Sequence, residues 1–121
     1  MNRPLNGYAA YARSHAGTLS GREIEAEALL KSVRLLRDAE ADPADINRLT
    51  QALDYNLRLW TVFEADLLSV GCPLPENVRN DLLRLCRFVA LEIKRAVEAP
   101  GRADLKPMRE INQTLASGLL N

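Results

Sequence analysis

A chain of 121 residues with 47% hydrophobic and 26% charged side chains is long enough to form one domain with its own core. Its 16 basic and 16 acidic residues cancel, which excludes a whole-molecule electrostatic attraction to nucleic acid or to an anionic membrane. No apolar run approaches the roughly 18 residues needed to span a bilayer, and the first residues lack the apolar core of a signal peptide, so we expect one cytoplasmic domain over residues 1–121.

The N-terminal third predicts one short helix and one long helix. The short helix covers about Tyr8–Ser14 and carries two tyrosines, Tyr8 and Tyr11. Ser20 and Glu23 have the spacing of a capping box, in which each side chain bonds the backbone N–H of the other residue. The first long helix is therefore predicted from Ser20 to about residue 41.

Three further helices are delimited by aspartate, proline and glycine. Asp42 followed by Pro43 is typical of a helix start, and Gly71 suits the end of the same helix. The predicted helices cover residues 43–69, 75–98 and 104–119. No segment alternates as a β-strand does, so the fold class is all-α: a small helical bundle of four main helices plus a short N-terminal helix.

The helix over residues 43–69 carries apolar residues on two sides, whereas an ordinary surface helix carries one apolar stripe. The main stripe, expected in the core, contains Ile46, Leu49, Leu53, Leu57, Trp60, Phe63 and Leu67. The second stripe, nearly opposite, contains Ala52, Tyr55, Leu59 and Val62. Two stripes fit either a central helix of the bundle or a helix with one side left for a partner.

Two asparagines occupy positions where apolar residues are expected. Asn56 lies within the main stripe of the second long helix, and Asn112 lies within the apolar stripe of the last helix. A buried amide without partners costs about 1–3 kcal/mol. We therefore expect both to form hydrogen bonds across helix interfaces and to fix the packing register, with direct ligand contact as the alternative. Trp60 and Phe63 are expected in the core beside them.

The helix over residues 75–98 combines a broad apolar face with a basic strip. Phe88 and Leu91 point away from that apolar face. The basic strip, defined as Arg84, Arg87, Lys94 and Arg95, is interpreted as a solvated surface, with phosphate contact as the alternative.

Residues for catalysis or metal binding are not arranged in any recognisable pattern. His15 is the sole histidine, and Cys72 and Cys86 lack the spacing of a metal site, so both thiols are expected to be reduced. No glycine-rich phosphate loop or nucleophile elbow occurs. The sequence predicts a binding protein without catalytic residues, metal or cofactor.

Three segments together resemble the FlaF family of flagellar biosynthesis regulators. These are "NLRLWTVFEADL" (56–67), "PLPENVRNDLLRLCRFV" (73–89) and "INQTLASGL" (111–119). The sequence departs from the usual family pattern at Cys72, at Gln113 and at Leu115–Ala116.

The resemblance implies a cytoplasmic factor that controls flagellin synthesis and export alongside FlbT, a regulator that binds flagellin message. The molecular role it implies is a flagellin export chaperone that covers an amphipathic terminal helix of flagellin. We predict that the flagellin-binding surface is partly exposed and consists of Tyr8, Tyr11, Tyr55, Leu59, Val62, Phe88 and Leu91.

Two alternatives remain at this stage. The basic strip would serve a protein that contacts flagellin mRNA directly, although the zero net charge argues against direct RNA binding. The second apolar stripe would serve a homodimer, so the expected state is a monomer or a weak homodimer.

Overall fold

The computed structural model describes the backbone of residues 19–120 and the side chains of residues 23–120. Within that range the chain forms four α-helices, one turn of 3-10 helix and no strand. Helix α1 covers Leu19–Ala41, α2 covers Ile46–Leu68, α3 covers Glu76–Glu98 and α4 covers Lys106–Leu120, with the 3-10 turn at Pro100–Arg102. The all-α prediction and its four main helices are confirmed, whereas the short helix predicted over Tyr8–Ser14 lies outside the described residues.

The start of α2 lies three residues later than predicted. Asp45, not Asp42, is its N-cap, because the Asp45 carboxylate accepts from the backbone N–H of Arg48 at 3.2 Å. Asp42 and Pro43 instead belong to a turn, which the Asp45 N–H closes by donating to the Asp42 carbonyl at 3.0 Å. Both aspartates fit the sequence pattern of a cap, and the tertiary fold uses the second.

Two other predicted helix ends also differ. The backbone is already helical at Leu19, so Ser20 lies inside α1 and not at its cap. At the end of α2 the C-cap is Ser69, whose hydroxyl donates to the Asp66 carbonyl at 2.8 Å, and not Gly71. The Ser69 side chain bonds locally to the last turn, which removes the need for a glycine there.

The helices pack in the order α4, α1, α2, α3. Helix α1 packs against both α4 and α2, α2 also packs against α3, and the 3-10 turn packs on α3. Ser32 contacts Asn112, whereas Glu40, two turns later in α1, contacts Arg109, which lies earlier in α4. Helices α1 and α4 are therefore antiparallel.

One continuous hydrophobic core joins all four helices. An ion pair supports its edge, since Arg109 Nε donates to Glu40 Oε1 at 2.6 Å and links α4 to α1. The fully buried large side chains of the core include Leu29, Leu36, Leu67, Met108, Leu115 and Leu119. Three polar residues are buried among them: Ser32, Asn56 and Asn112.

Candidate functional site

Those three polar residues and Trp60 form a cluster that we call the polar junction, where α1, α2 and α4 meet. The Ser32 hydroxyl donates to Asn56 Oδ1 at 2.8 Å. Asn112 Nδ2 donates to both Ser32 Oγ and Asn56 Oδ1, the latter at 2.7 Å. Trp60 Nε1 donates to Asn112 Oδ1 at 3.1 Å. Each of the three helices thus supplies at least one member of a single hydrogen-bonded network.

The polar junction is closed to ligands. Asn56 Nδ2 donates to the Ala52 carbonyl at 2.9 Å, so each side-chain nitrogen and oxygen of the cluster has a partner. Asn56 and Asn112 are fully buried and bonded across helix interfaces. Sequence reasoning missed Ser32, although its position between Leu29 and Leu36 on the buried face of α1 was a readable signal.

The second stripe of α2 is partly covered by α1. The Tyr55 hydroxyl donates to the Ala28 carbonyl at 3.2 Å, and the Lys31 ammonium lies 5.1 Å from the centroid of the Tyr55 ring. Burial raises the pKa of Tyr55, against a smaller opposing effect of Arg34. Leu59 packs against the core, and Val62 is more than half exposed. None of the three predicted contact residues is fully covered, so binding there stays a prediction.

The other predicted contact residues lie elsewhere. Phe88 and Leu91 are both exposed on α3, outside the face that packs against α2. Tyr8 and Tyr11 lie outside the described residues. Among the described residues, the predicted contact residues of α2 and those of α3 therefore do not form one surface.

An apolar groove lies between α2 and α3, and we call it the α2–α3 groove. Its volume is about 280 Å³, and its lining includes Ile46, Leu53, Leu57, Ile93, Ala96 and Val97. It continues as a narrower cleft past Trp60, Thr61, Glu64, Cys86 and Ala90. Because the start of α2 shares the groove with the end of α3, the two helices are antiparallel.

Two residues predicted in the core instead line the open groove. Leu57 is 48% exposed and Ile46 is more than half exposed. Across from them α3 presents Ala90 and Ala96, whose methyl groups leave the space between the helices unfilled. The position of Leu57 in the helical pattern was read correctly, but its burial depends on side-chain size in another helix.

Comparison with known proteins identifies the family of this chain. The family described as flagellar protein FlaF matches residues 8–119. The chain belongs to the FlaF family. Neither a search of curated proteins nor a search of solved structures found a match. The three segments singled out in the sequence lie within the matched range, and the family makes this a flagellar protein.

The basic strip of this FlaF-family chain is partly neutralised within its own helix. Arg84 forms an ion pair with Asp81, and Arg95 forms one with Glu92 at 2.9 Å. Each pair joins residues three positions apart, as neighbouring turns of a helix allow. Arg87 and Lys94 form no ion pair within the part of the chain that the structure describes.

The two thiols are free, and one of them is buried. Cys72 and Cys86 are free thiols, and burial, followed by the nearby Glu64 charge, raises the pKa of Cys86 to about 12. A thiol with that pKa stays protonated at neutral pH and is a poor nucleophile. Among the described residues no group of three or more histidine, cysteine or acidic side chains is placed to hold a metal ion. None of the described helices is long and apolar enough to cross a membrane.

Proposed function

We propose that this FlaF-family protein is a cytoplasmic export chaperone that binds flagellin and modulates flagellin synthesis together with FlbT. In this proposal an amphipathic helix of flagellin occupies the α2–α3 groove. The protein acts by binding and not as an enzyme, and it uses no cofactor.

The observation that carries the proposal is the open groove itself. From Ile46 to Trp60 it follows α2 for about 21 Å, the length of roughly four helical turns. Exposed apolar residues line it at Ile46, Leu57 and Val97. An amphipathic helix binds such a groove through apolar residues at i, i+3, i+4 and i+7. Covering the apolar stripe of a flagellin helix would keep it from assembling before export.

The groove supports flagellin binding better than the other candidate surfaces do. Tyr55, in the second stripe, already bonds to α1 through its hydroxyl. Two of the four cations in the basic strip, Arg84 and Arg95, are paired with carboxylates. Among the described residues, that leaves only Arg87 and Lys94 of the strip unpaired for direct contact with message, and phosphate binding gains from each further cation that is free to contact a phosphate.

Titration with purified monomeric flagellin tests the proposal, and the chain offers a matched pair of leucines. Leu57 is 48% exposed in the groove, and Leu120 is 57% exposed on α4, which contributes no lining residue to the groove. We expect Leu57→Asp to weaken flagellin binding more than tenfold, because burying a leucine contributes about 1.5–3 kcal/mol and an aspartate opposes burial. Leu120→Asp, which makes the same substitution outside the groove, is expected to bind within threefold of wild type.

Val62→Asp separates the groove from the second stripe of α2. Val62 is exposed on that stripe, so the variant should fold normally and bind flagellin as wild type does. Loss of binding in Val62→Asp with full binding in Leu57→Asp would move the site to the second stripe. No binding by the folded wild-type protein would overturn the chaperone proposal.

A further inference from the structure

The two walls of the α2–α3 groove carry opposite charges. The α2 wall presents, at helical spacings of four and three, Thr50, Asp54, Leu57, Thr61 and Glu64, all of which line the groove or its continuation. The α3 wall follows the same spacing with Arg87, Ala90, Lys94 and Val97, of which Ala90 and Val97 are lining residues. We call the exposed edges of these two walls the lips of the groove. The α2 lip is thus acidic, and the α3 lip is basic.

These charges lie at matching levels along the groove. Leu57 shares the groove with Ile93, and Glu64 shares its continuation with Cys86. Because antiparallel helices advance by the same 1.5 Å per residue, Glu64 lies level with Arg87, and Asp54 lies level with Lys94 to within about one turn. Glu98 reverses the sign of the α3 lip only in the last turn of that helix.

Most of these charges have no partner of their own. Asp54 forms an exposed ion pair with Arg58 at 3.1 Å. Glu64, Arg87 and Lys94 form no ion pair in the described part of the chain. Three charged side chains beside an apolar groove are therefore available to a bound segment.

We propose that the α2–α3 groove selects an amphipathic helix whose apolar stripe is edged by basic residues on the α2 side and by acidic residues on the α3 side. This rests on the proposed function, because the helix is taken to be a segment of flagellin. Charge complementarity at a groove adds specificity and orientation more than affinity. Turning such a helix end for end exchanges its two edges, so the lips also fix the direction in which it lies.

Two synthetic peptides of identical composition test the selection. Both carry the same leucine stripe; one has lysines along one edge and glutamates along the other, and the second mixes both residues on both edges. The first peptide is expected to bind about tenfold more tightly at low salt. The preference should nearly vanish in 1 M salt, because the Debye length there is only about 3 Å.

A charge-exchanged protein tests the direction. The variant Asp54→Lys/Glu64→Lys/Arg87→Glu/Lys94→Glu keeps the net charge and inverts both lips. A fluorophore on Cys72, which lies in the loop between α2 and α3, reports which peptide end is near through a quencher on either terminus. Cys86 is buried and stays unlabelled. One peptide end should quench strongly in wild type, and the other should do so in the variant.

The control variant Glu27→Lys/Arg37→Glu exchanges charges on exposed positions of α1 and should behave as wild type. Equal binding of the two peptides, or no exchange of the quenching end, overturns the inference. A free protein that sediments as a dimer and is dissociated by Leu57→Asp would also overturn it, because the occupant would then be a second copy.

The outcome is separable from that of the flagellin titration. Flagellin binding that depends on Leu57, with no peptide preference, removes the charge selection and leaves the chaperone proposal standing. A peptide preference without flagellin binding removes flagellin as the partner and leaves a groove selective for charge-edged helices.

Discussion

Helix α2 contributes to both the polar junction and the α2–α3 groove, and the two regions differ in how completely neighbouring helices cover its side chains. At the junction, Asn56 and Trp60 are buried, and every polar side-chain atom has a partner, which a neighbouring helix supplies in each case except the bond from Asn56 to the Ala52 carbonyl of α2 itself. At the groove, Leu57 is half exposed because alanines face it. A buried polar network favours one packing arrangement, since any shift leaves polar groups unsatisfied. The comparison indicates that one region holds the helices in register, whereas the other leaves an apolar surface open, as the proposed function requires.

The largest loss of stability is expected on substitution of Asn112, which bonds the other three members of the polar junction. Asn112→Leu removes three hydrogen bonds and leaves the Trp60 indole N–H buried without an acceptor. We expect the free energy of unfolding in urea to fall by about 3 kcal/mol. Thr114→Leu, on the exposed side of the same helix, should change it by less than about 0.5 kcal/mol. Equal losses in the two variants would mean that the network does not stabilise the fold.

A smaller loss is expected at the serine of the junction. Ser32→Ala removes one donor to Asn56 Oδ1 and one acceptor for Asn112 Nδ2. Asn56 Oδ1 still accepts from Asn112, so only one Asn112 hydrogen is left without a partner. We expect a loss of about 1–2 kcal/mol in the same urea experiment. A loss as large as that of Asn112→Leu would contradict the bonding pattern.

Filling the groove should weaken flagellin binding without lowering the stability of the fold. Ala90→Leu places a larger side chain beside Leu57 in the cleft and should leave the free energy of unfolding unchanged or slightly higher. The flagellin dissociation constant should rise about tenfold, because the added side chain occupies the space of a partner residue. Ala65→Leu, exposed on α2, serves as the control with the same change in size. Undiminished flagellin binding by a folded Ala90→Leu protein would argue against the groove.

Cys86, which lines the continuation of the groove, should make the stability of the fold depend modestly on pH in the alkaline range. Burial raises the pKa of the Cys86 thiol from 9.0 to about 12, so the unfolded chain releases this proton at a lower pH than the folded one. The contribution of this thiol to stability is complete below pH 9 and is lost as the pH rises towards 12. Between pH 8 and pH 10 we expect this thiol to lower the free energy of unfolding of the wild-type protein by about 1 kcal/mol. The Cys86→Ala variant, measured at the same two pH values, should lack this contribution.

Helical positions and polar exceptions could be predicted from the sequence because both are local in origin. Helical periodicity placed Asn56 and Asn112 inside apolar stripes, and the desolvation of an amide then required interhelical partners. The position of Ser32 between Leu29 and Leu36 indicated a buried serine, but its hydrogen-bond partners could not be predicted, because a serine is tolerated on either face of a helix. Its bonds depend on how α1 approaches α2 and α4.

The groove could not be predicted for a related reason. Periodicity assigns Leu57 to an apolar face, but whether that face is covered depends on the small residues Ala90 and Ala96 of α3. Likewise Asp42 was predicted as the cap of α2, whereas the bond from the Arg48 N–H is made by Asp45. Sequence patterns located the faces, and the contacts between helices decided which face stays open.

The most direct test of the division between the two regions measures stability and flagellin affinity together in Asn112→Leu and Leu57→Asp. Asn112→Leu is predicted to lose about 3 kcal/mol of unfolding free energy while its folded fraction binds flagellin as wild type does. Leu57→Asp is predicted to lose only about 1–2 kcal/mol of unfolding free energy, because half of the leucine is packed in the free protein, and its folded fraction should lose more than tenfold in affinity. If both variants lose stability and affinity in parallel, the junction and the groove are not separate, and the account is contradicted.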